Sequence, residues 1–207
     1  MIFYRLFIAT CDRLAHSRGL MLRILLRGKC FSIGKKLKCE RGVKLLVRDG
    51  GKIEIGDRVE IRRDVEIRAF GNAHVIIDDD VRLDRGVRII AGNASMVRLG
   101  KRVRVGFYSV LNGGDSITVG SGSLVSGFVY LQTSMHRHER NANIQDQGYS
   151  HSPIFIGEDV WIGAHSTVLP GIRIEQGGVV GSNAVVTKNV SAFDVVAGVP
   201  ARVLRNR

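Results

Sequence analysis

Cysteine and proline are scarce in this chain of 207 residues, with three of each. Cys11, Cys30 and Cys39 are odd in number and lack metal-type spacing. That excludes a disulfide scaffold or zinc ribbon and favours a reducing compartment. Aromatic residues make up only 6%, too few for a sandwich built round an aromatic core. Long apolar runs are missing too. The stretch Met1 to Arg27 is interrupted by Arg5, Asp12, Arg13, Arg18 and Arg23, short of the ~18 apolar residues a membrane-spanning helix needs. It has no small-residue cleavage site after a clean apolar segment, so it does not read as a secretory signal. Acidic residues are in deficit, 19 against 31 Lys and Arg, for a net charge of +12. An anionic partner is implied, be it nucleic acid, acidic lipid, a phosphorylated cofactor or an acidic glycan.

What is present is glycine, 25 residues, and a hydrophobic fraction of 44%. The first points to many tight turns, the second to a folded chain long enough for one domain with a full core. The hydrophobic residues are periodic. Ile156, Ile162, Val168, Ile174, Val180 and Val186 recur every six residues, and Val160, Ser166, Ile172, Gly178, Ala184 and Val190 fall four places after them. Earlier in the chain the same step builds triplets: Ile33–Cys39–Leu45, Ile55–Ile61–Ile67, Ile77–Leu83–Ile89, Leu99–Val105–Leu111 and Val119–Val125–Leu131. The first four triplets are separated by ten residues, with the extra four at one corner, as at Asp49-Gly50-Gly51, Gly71-Asn72-Ala73 and Gly92-Asn93-Ala94. A helix of 3.6-residue period has no face for such a pattern. A coil of three short strands does, and insertions confined to one corner leave its core in register. The expectation is an all-β solenoid over 31–190, with an N-terminal amphipathic helical segment over 1–30 and a basic tail over 191–207 that frays at Arg205 and Arg207.

Stacking also aligns charge. Lys38, Glu60, Arg82 and Arg104 lie 22 residues apart, as do Lys44, Glu66 and Arg88. They form a solvated charged wall, or, at Arg82 and Arg104, an anion clamp.

One segment breaks the repeat. Leu131 and Ile156 are 25 residues apart, and the excess over 132–155 is a polar loop carrying His136, His138 and His151. Long loops on compact scaffolds carry function, and histidine is the side chain suited to proton transfer near neutral pH.

The runs PIFIGEDVWIGA (153–164), VLPGI (168–172), VGSNAVVTKNV (180–190) and AGVPARV (197–203) resemble the hexapeptide-repeat acyltransferases, most of all their sugar O-acetyltransferase branch. The loop from His136 to the pair Gln147-Gly148 resembles that branch's histidine loop. The resemblance implies a left-handed parallel β-helix with a protruding loop, a homotrimer with sites between subunits, and acetyl-CoA as acetyl donor without a metal. It implies His136 as general base, with His138 as second choice. For coenzyme A it implies Gly163, Ala164, Gly181, Ser182, Lys188 and Arg202, and Trp161 would wall the cleft. Where the branch often places an acceptor-binding Asp, this chain has Asn112. Asn112 can hydrogen-bond a sugar hydroxyl but not take its proton, and Asp115 lies near enough to substitute. Turn formation is an equal reading of Asn112-Gly-Gly.

The expected activity is acetyl transfer to a sugar hydroxyl in surface polysaccharide or O-antigen assembly, with a cytoplasmic location. Transfer to the amine of a nucleotide-linked amino sugar is the alternative. A γ-carbonic-anhydrase-like zinc site of His136, His138 and His151 or His165 is a third reading, disfavoured by the family blocks. Nucleic-acid binding lacks a motif and an aromatic platform. At the N-terminus, Phe3, Leu6, Phe7, Thr10 and Leu14, with Leu20, Ile24 and Leu25 beyond, fit one or two amphipathic helices. These would cap the open solenoid end or dock on an acidic inner-membrane surface.

Overall fold

The computed structural model describes residues 2–26 and 28–207, with side chains described from Thr10 onward. The six-residue step becomes strand, turn, strand, turn. Each short strand sends one aliphatic side chain inward, and the chain then bends to the next face. Three sheets result, of seven, nine and seven strands, each strand pairing in parallel with the one a full coil away except the last strand of the second sheet, which is antiparallel. The first face begins with Phe31–Ile33, the second with Lys38–Cys39 and the third with Lys44–Val47.

The triplets of the sequence become the three core columns. Ile33, Ile55, Ile77, Leu99, Val119, Ile156 and Ile174 are in register on the first face. Cys39, Ile61, Leu83, Val105, Val125, Ile162, Val180 and Val196 line the second. The third holds Leu45, Ile67, Ile89, Leu111, Leu131, Val168 and Val186. All but Ile33 and Leu45, in the first coil, are buried. Each buried aliphatic contributes roughly 1.5–3 kcal/mol. Within this core the Cys39 thiol is pushed up to about 11 by burial, so it acts as a small apolar group, whereas Cys11 and Cys30 are exposed.

The charged columns form as read. Lys38 stands 3.7 Å from Glu60, and Arg88 stands 3.7 Å from Glu66. Arg82 and Arg104 are adjacent, but the Arg82 guanidinium donates to Asp84 at 2.9 Å. One side of the expected anion clamp is therefore already neutralised.

The N-terminal end is helical as expected but docks through another side, and the C-terminal end differs from expectation. The N-terminal segment is one helix, Ile2–Leu25. It meets the first coil through Ala15, Gly19 and Leu22, not through the face of Leu14, Leu20 and Ile24. A side chain at Gly19 would collide with the Leu37 carbonyl, so this close approach requires glycine. Asp12 and Lys38 pair across the junction at 3.2 Å. The expected contacts of Phe3, Leu6 and Phe7 lie outside the described side chains. At the other end the tail is not frayed. Arg202–Asn206 is a strand antiparallel to Asp194–Ala197, and Arg207 pairs with Asp159 at 2.8 Å.

Candidate active site

The polar excursion leaves the solenoid at the corner between the third and first faces. It folds back as a two-stranded antiparallel hairpin, Ser134–His136 against Tyr149–His151, with His136 opposite Tyr149 and Ser134 opposite His151. Its root is held by hydrogen bonds that sequence reasoning missed. Gln132 Nε2 donates to the Ser134 carbonyl at 2.6 Å, and Ser134 Oγ lies 2.8 Å from His151 Nδ1. The buried Thr133 hydroxyl donates to the Asn112 carbonyl at 2.8 Å and accepts from the Asp115 N–H at 3.0 Å. At the tip, Gln147 acts as a clasp. Its Nε2 donates to the carbonyls of Glu139 and Ala142 at 2.8 and 2.7 Å, while its Oε1 accepts the Glu139 N–H at 2.7 Å. Gly148 then turns the chain back with φ +71°. The Gln-Gly pair is what gives the loop a fixed shape.

His136 is therefore the end of a paired strand and not part of a floppy loop. Its ring lies 4.2 Å from that of Tyr149, and among the described residues neither ring nitrogen is engaged in a hydrogen bond. His138 lies two residues further out, with Nδ1 3.1 Å from the His136 carbonyl. A protonated Nδ1 there leaves Nε2 as the acceptor. His151 is committed to Ser134. His165 lies at the other edge of the third face, one coil on, stacked on Phe128 at 4.7 Å. Among the described residues no three His, Cys, Asp or Glu side chains converge as a metal site within the chain.

Asn112 faces outward from the third sheet, beside Gln132 in register, and donates to the Tyr130 hydroxyl at 3.2 Å. It is thus part of a half-buried polar shelf at the root of the hairpin. Asp115 uses Oδ1 to accept the Ser116 N–H at 2.6 Å, a turn contact that leaves its other oxygen available.

Of the residues expected to meet coenzyme A, Gly163, Ala164, Gly181 and Ser182 occupy a different corner, between the second and third faces. Gly163 and Ala164 lie directly under Gly181 and Ser182. The Gly163 N–H donates to the Val180 carbonyl at 2.7 Å, and the Ala164 carbonyl accepts from Asn183 N–H at 2.8 Å. A Cβ on Gly163 would meet the Ser182 nitrogen at 2.5 Å, and one on Gly181 would meet the Ala197 Cβ at 2.8 Å. Close stacking of the coils thus accounts for both glycines, and it leaves the half-buried Ala164 and exposed Ser182 as the surface. Trp161 stands beside this corner on the second face, half exposed, with its indole N–H donating to Ser126 Oγ at 3.1 Å. Below it, Tyr108, Phe128 and His165 form a ladder, with Tyr108 and Phe128 stacked at 5.6 Å. All three have positive φ, a conformation that costs bulky residues energy, and the stacking offsets it.

Lys188 and Arg202 are exposed and make no ion pair among the described residues. Lys188 follows Val185–Val186 and so lies at the histidine corner, while Arg202 opens the last strand of the second face. Within one chain the histidine and the Ala164–Ser182 corner sit at opposite edges of the third face. The six residue steps from Ala164 to Pro170 that cross that face span at most ~20 Å.

The family model described as "Bacterial transferase hexapeptide (six repeats)" matches residues 153–188. A probable acetyltransferase of Mycobacterium tuberculosis is 34% identical over 161 residues, 67% of this chain and 54% of that protein. An Escherichia coli protein that carries a lipopolysaccharide-biosynthesis O-acetyl transferase name is 26% identical over 167 residues, 77% of this chain and 74% of that protein. A galactoside acetyltransferase solved in complex with coenzyme A superposes with a TM-score of 0.58 at 27% identity, covering 63% of this chain and 64% of that one. The solenoid is therefore the left-handed parallel β-helix. The chain spans about half the length, 54%, of the first curated relatives it matches.

Proposed function

Starting from a chain with the fold and repeat signature of the hexapeptide-repeat transferases, we propose that it transfers an acetyl group from acetyl-CoA to a sugar hydroxyl. The observation that carries this reading is the hairpin rooted at the Asn112–Tyr130–Gln132 shelf, whose paired strand ends at His136. The shelf supplies hydrogen-bonding groups for a sugar, and His136 supplies a ring nitrogen free to take a proton.

In the reaction, His136 accepts the proton of the acceptor hydroxyl as its oxygen attacks the thioester carbonyl. The new C–O bond forms, the C–S bond breaks, and the proton passes from the imidazolium to the departing thiolate. No covalent enzyme intermediate is involved. The pantetheine arm runs along the Ala164 and Ser182 turns past Trp161. Lys188 and Arg202 meet the phosphates. Because these turns and the histidine occupy different corners of one chain, a neighbouring copy completes each cleft, as in a homotrimer. The dependence on acetyl-CoA places the reaction on the cytoplasmic side, and surface polysaccharide precursors are the acceptor class. His138 is the second reading for the base, favoured by its contact with the His136 carbonyl, which fixes the tautomer.

The test is free-thiol release from acetyl-CoA in the presence of a panel of glycosides and nucleotide-linked sugars, with mass analysis of the products. The expected outcome is acceptor-dependent release and an added acetyl group removed by mild base, as an ester is. A base-stable acetyl group would identify an amine acceptor. No release with any acceptor would overturn the reading.

A further inference from the structure

The basic excess of the chain is not spread evenly. Between Gly28 and Lys52, the first coil, there are eight Lys and Arg against two Asp and Glu, whereas residues 153–190 hold two against three. Of the eight, Lys38 is paired, with Asp12 and Glu60. Lys29, Lys35, Lys36, Arg41, Lys44, Arg48 and Lys52 make no ion pair among the described residues. The N-terminal helix lies on this coil and adds Arg13, Arg18 and Arg23. Between helix and coil runs a cleft of about 560 Å³ lined by Arg18, Arg41, Arg62 and Arg63, with Glu40 as a carboxylate in its wall. Glu40 is taken by Arg62 at 2.7 Å, which leaves the other three guanidinium groups to face an anion.

The outward side of the helix is apolar. Leu14, Leu20, Met21, Ile24 and Leu25 are 48% to 69% exposed. At 100° per residue, Leu14, Met21 and Leu25 fall on one line, with Ile24 and Leu20 on one flank. Arg18 borders the line on its other side, and Arg13, one turn before, falls between the directions of Ile24 and Leu20. Five large apolar side chains on one helix face are more than scattered surface residues need. An apolar stripe accompanied by arginines is the arrangement of a helix that lies in a lipid interface. No helix among the described residues is long and apolar enough to cross a membrane.

We propose that this end of the solenoid is a docking surface for an anionic lipid bilayer. The apolar face of the helix enters the headgroup boundary, and the first-coil lysines and arginines, with the arginine cleft, meet the lipid phosphates. Charge selects this occupant over a second copy of the helix. In a helix pair, flanking residues of opposite sign face each other. Here Arg18 stands at the edge of the face and Arg13 within its flank, and Asp12, the one acidic residue of the helix, is engaged with Lys38. Two such faces would repel along their edges. The surface is far along the axis from the histidine hairpin, and the inference does not depend on the acyl-transfer reading.

The test is co-sedimentation of the full chain with vesicles of phosphatidylcholine plus phosphatidylglycerol and with vesicles of phosphatidylcholine alone, without substrates. Retention is expected on the anionic vesicles only, falling as salt is raised. The triple substitution Leu14→Gln, Met21→Gln and Ile24→Gln keeps good helix formers at exposed positions and is expected to abolish retention. Replacing Arg13, Arg18 and Arg23 by Gln is expected to weaken it about a hundredfold, roughly a factor of five per charge. Thermal unfolding of both variants should match the parent chain. Absence of retention on anionic vesicles, equal retention on neutral ones, or unchanged retention of the apolar triple variant would each overturn the proposal. If the triple variant loses self-association in sedimentation velocity while keeping its lipid retention, the occupant is a second copy, and the proposal falls.

Discussion

Replacing His136 by alanine is expected to lower kcat by ~10²–10⁴-fold, the usual contribution of a positioned general base, and to leave acetyl-CoA affinity nearly unchanged. The split follows from the geometry. His136 ends a strand paired residue for residue with Tyr149–His151, on the corner opposite the Ala164 and Ser182 turns, so in the proposed reaction it moves protons and does not hold the donor. Its removal takes away an interaction made during proton transfer, which lowers kcat and kcat/KM together. His138→Ala separates the two candidates. That imidazole lies beyond the paired strand and touches the hairpin through the His136 carbonyl, so turnover should stay near that of the parent enzyme. If His138→Ala is the inactive variant and His136→Ala is not, the base is His138.

Leu131→Ala is expected to cost ~3–5 kcal/mol in urea unfolding, the range for a leucine removed from a core that cannot collapse round the cavity. Leu131 is fully buried between Leu111 and Val168 in the third column, and the next coil on either side is a rigid strand. The next residue, Gln132, anchors the hairpin through the Ser134 carbonyl, so activity should decline before global unfolding. Leu46 lies on the outer side of the same sheet and is well exposed. Its replacement by alanine should change stability by no more than ~0.5 kcal/mol. Equal losses at the two positions would mean that the columns are not the source of stability.

The columns were legible because a solenoid writes its register into its period. A step of six between Ile156 and Ile162 is also the distance from one face to the next, and each coil repeats the statement. The helix was legible as a helix but not in its docking side. Amphipathic spacing marks the apolar stripe of Leu14, Leu20 and Ile24, whereas the contact is made by Ala15 and Gly19, whose small size permits the approach to Leu37 and carries little hydrophobic signal. The histidine hairpin was visible only as a gap in the repeat. Its antiparallel register, which sets Ser134 against His151, is fixed by the Gln147 clasp, and no periodicity announces that. The C-terminal strand was hidden for a similar reason. Arg207 reads as one more basic residue until the fold brings Asp159, 48 positions earlier, to within 2.8 Å of it.

The central claim is that the chain works on acetyl-CoA. Calorimetric titration of the metal-free protein with acetyl-CoA tests it most directly, with zinc as the control titrant. The account predicts saturable acetyl-CoA binding at one site per chain and no stoichiometric zinc uptake. Tight stoichiometric zinc uptake without acetyl-CoA binding would contradict it and assign the solenoid to a metal site instead.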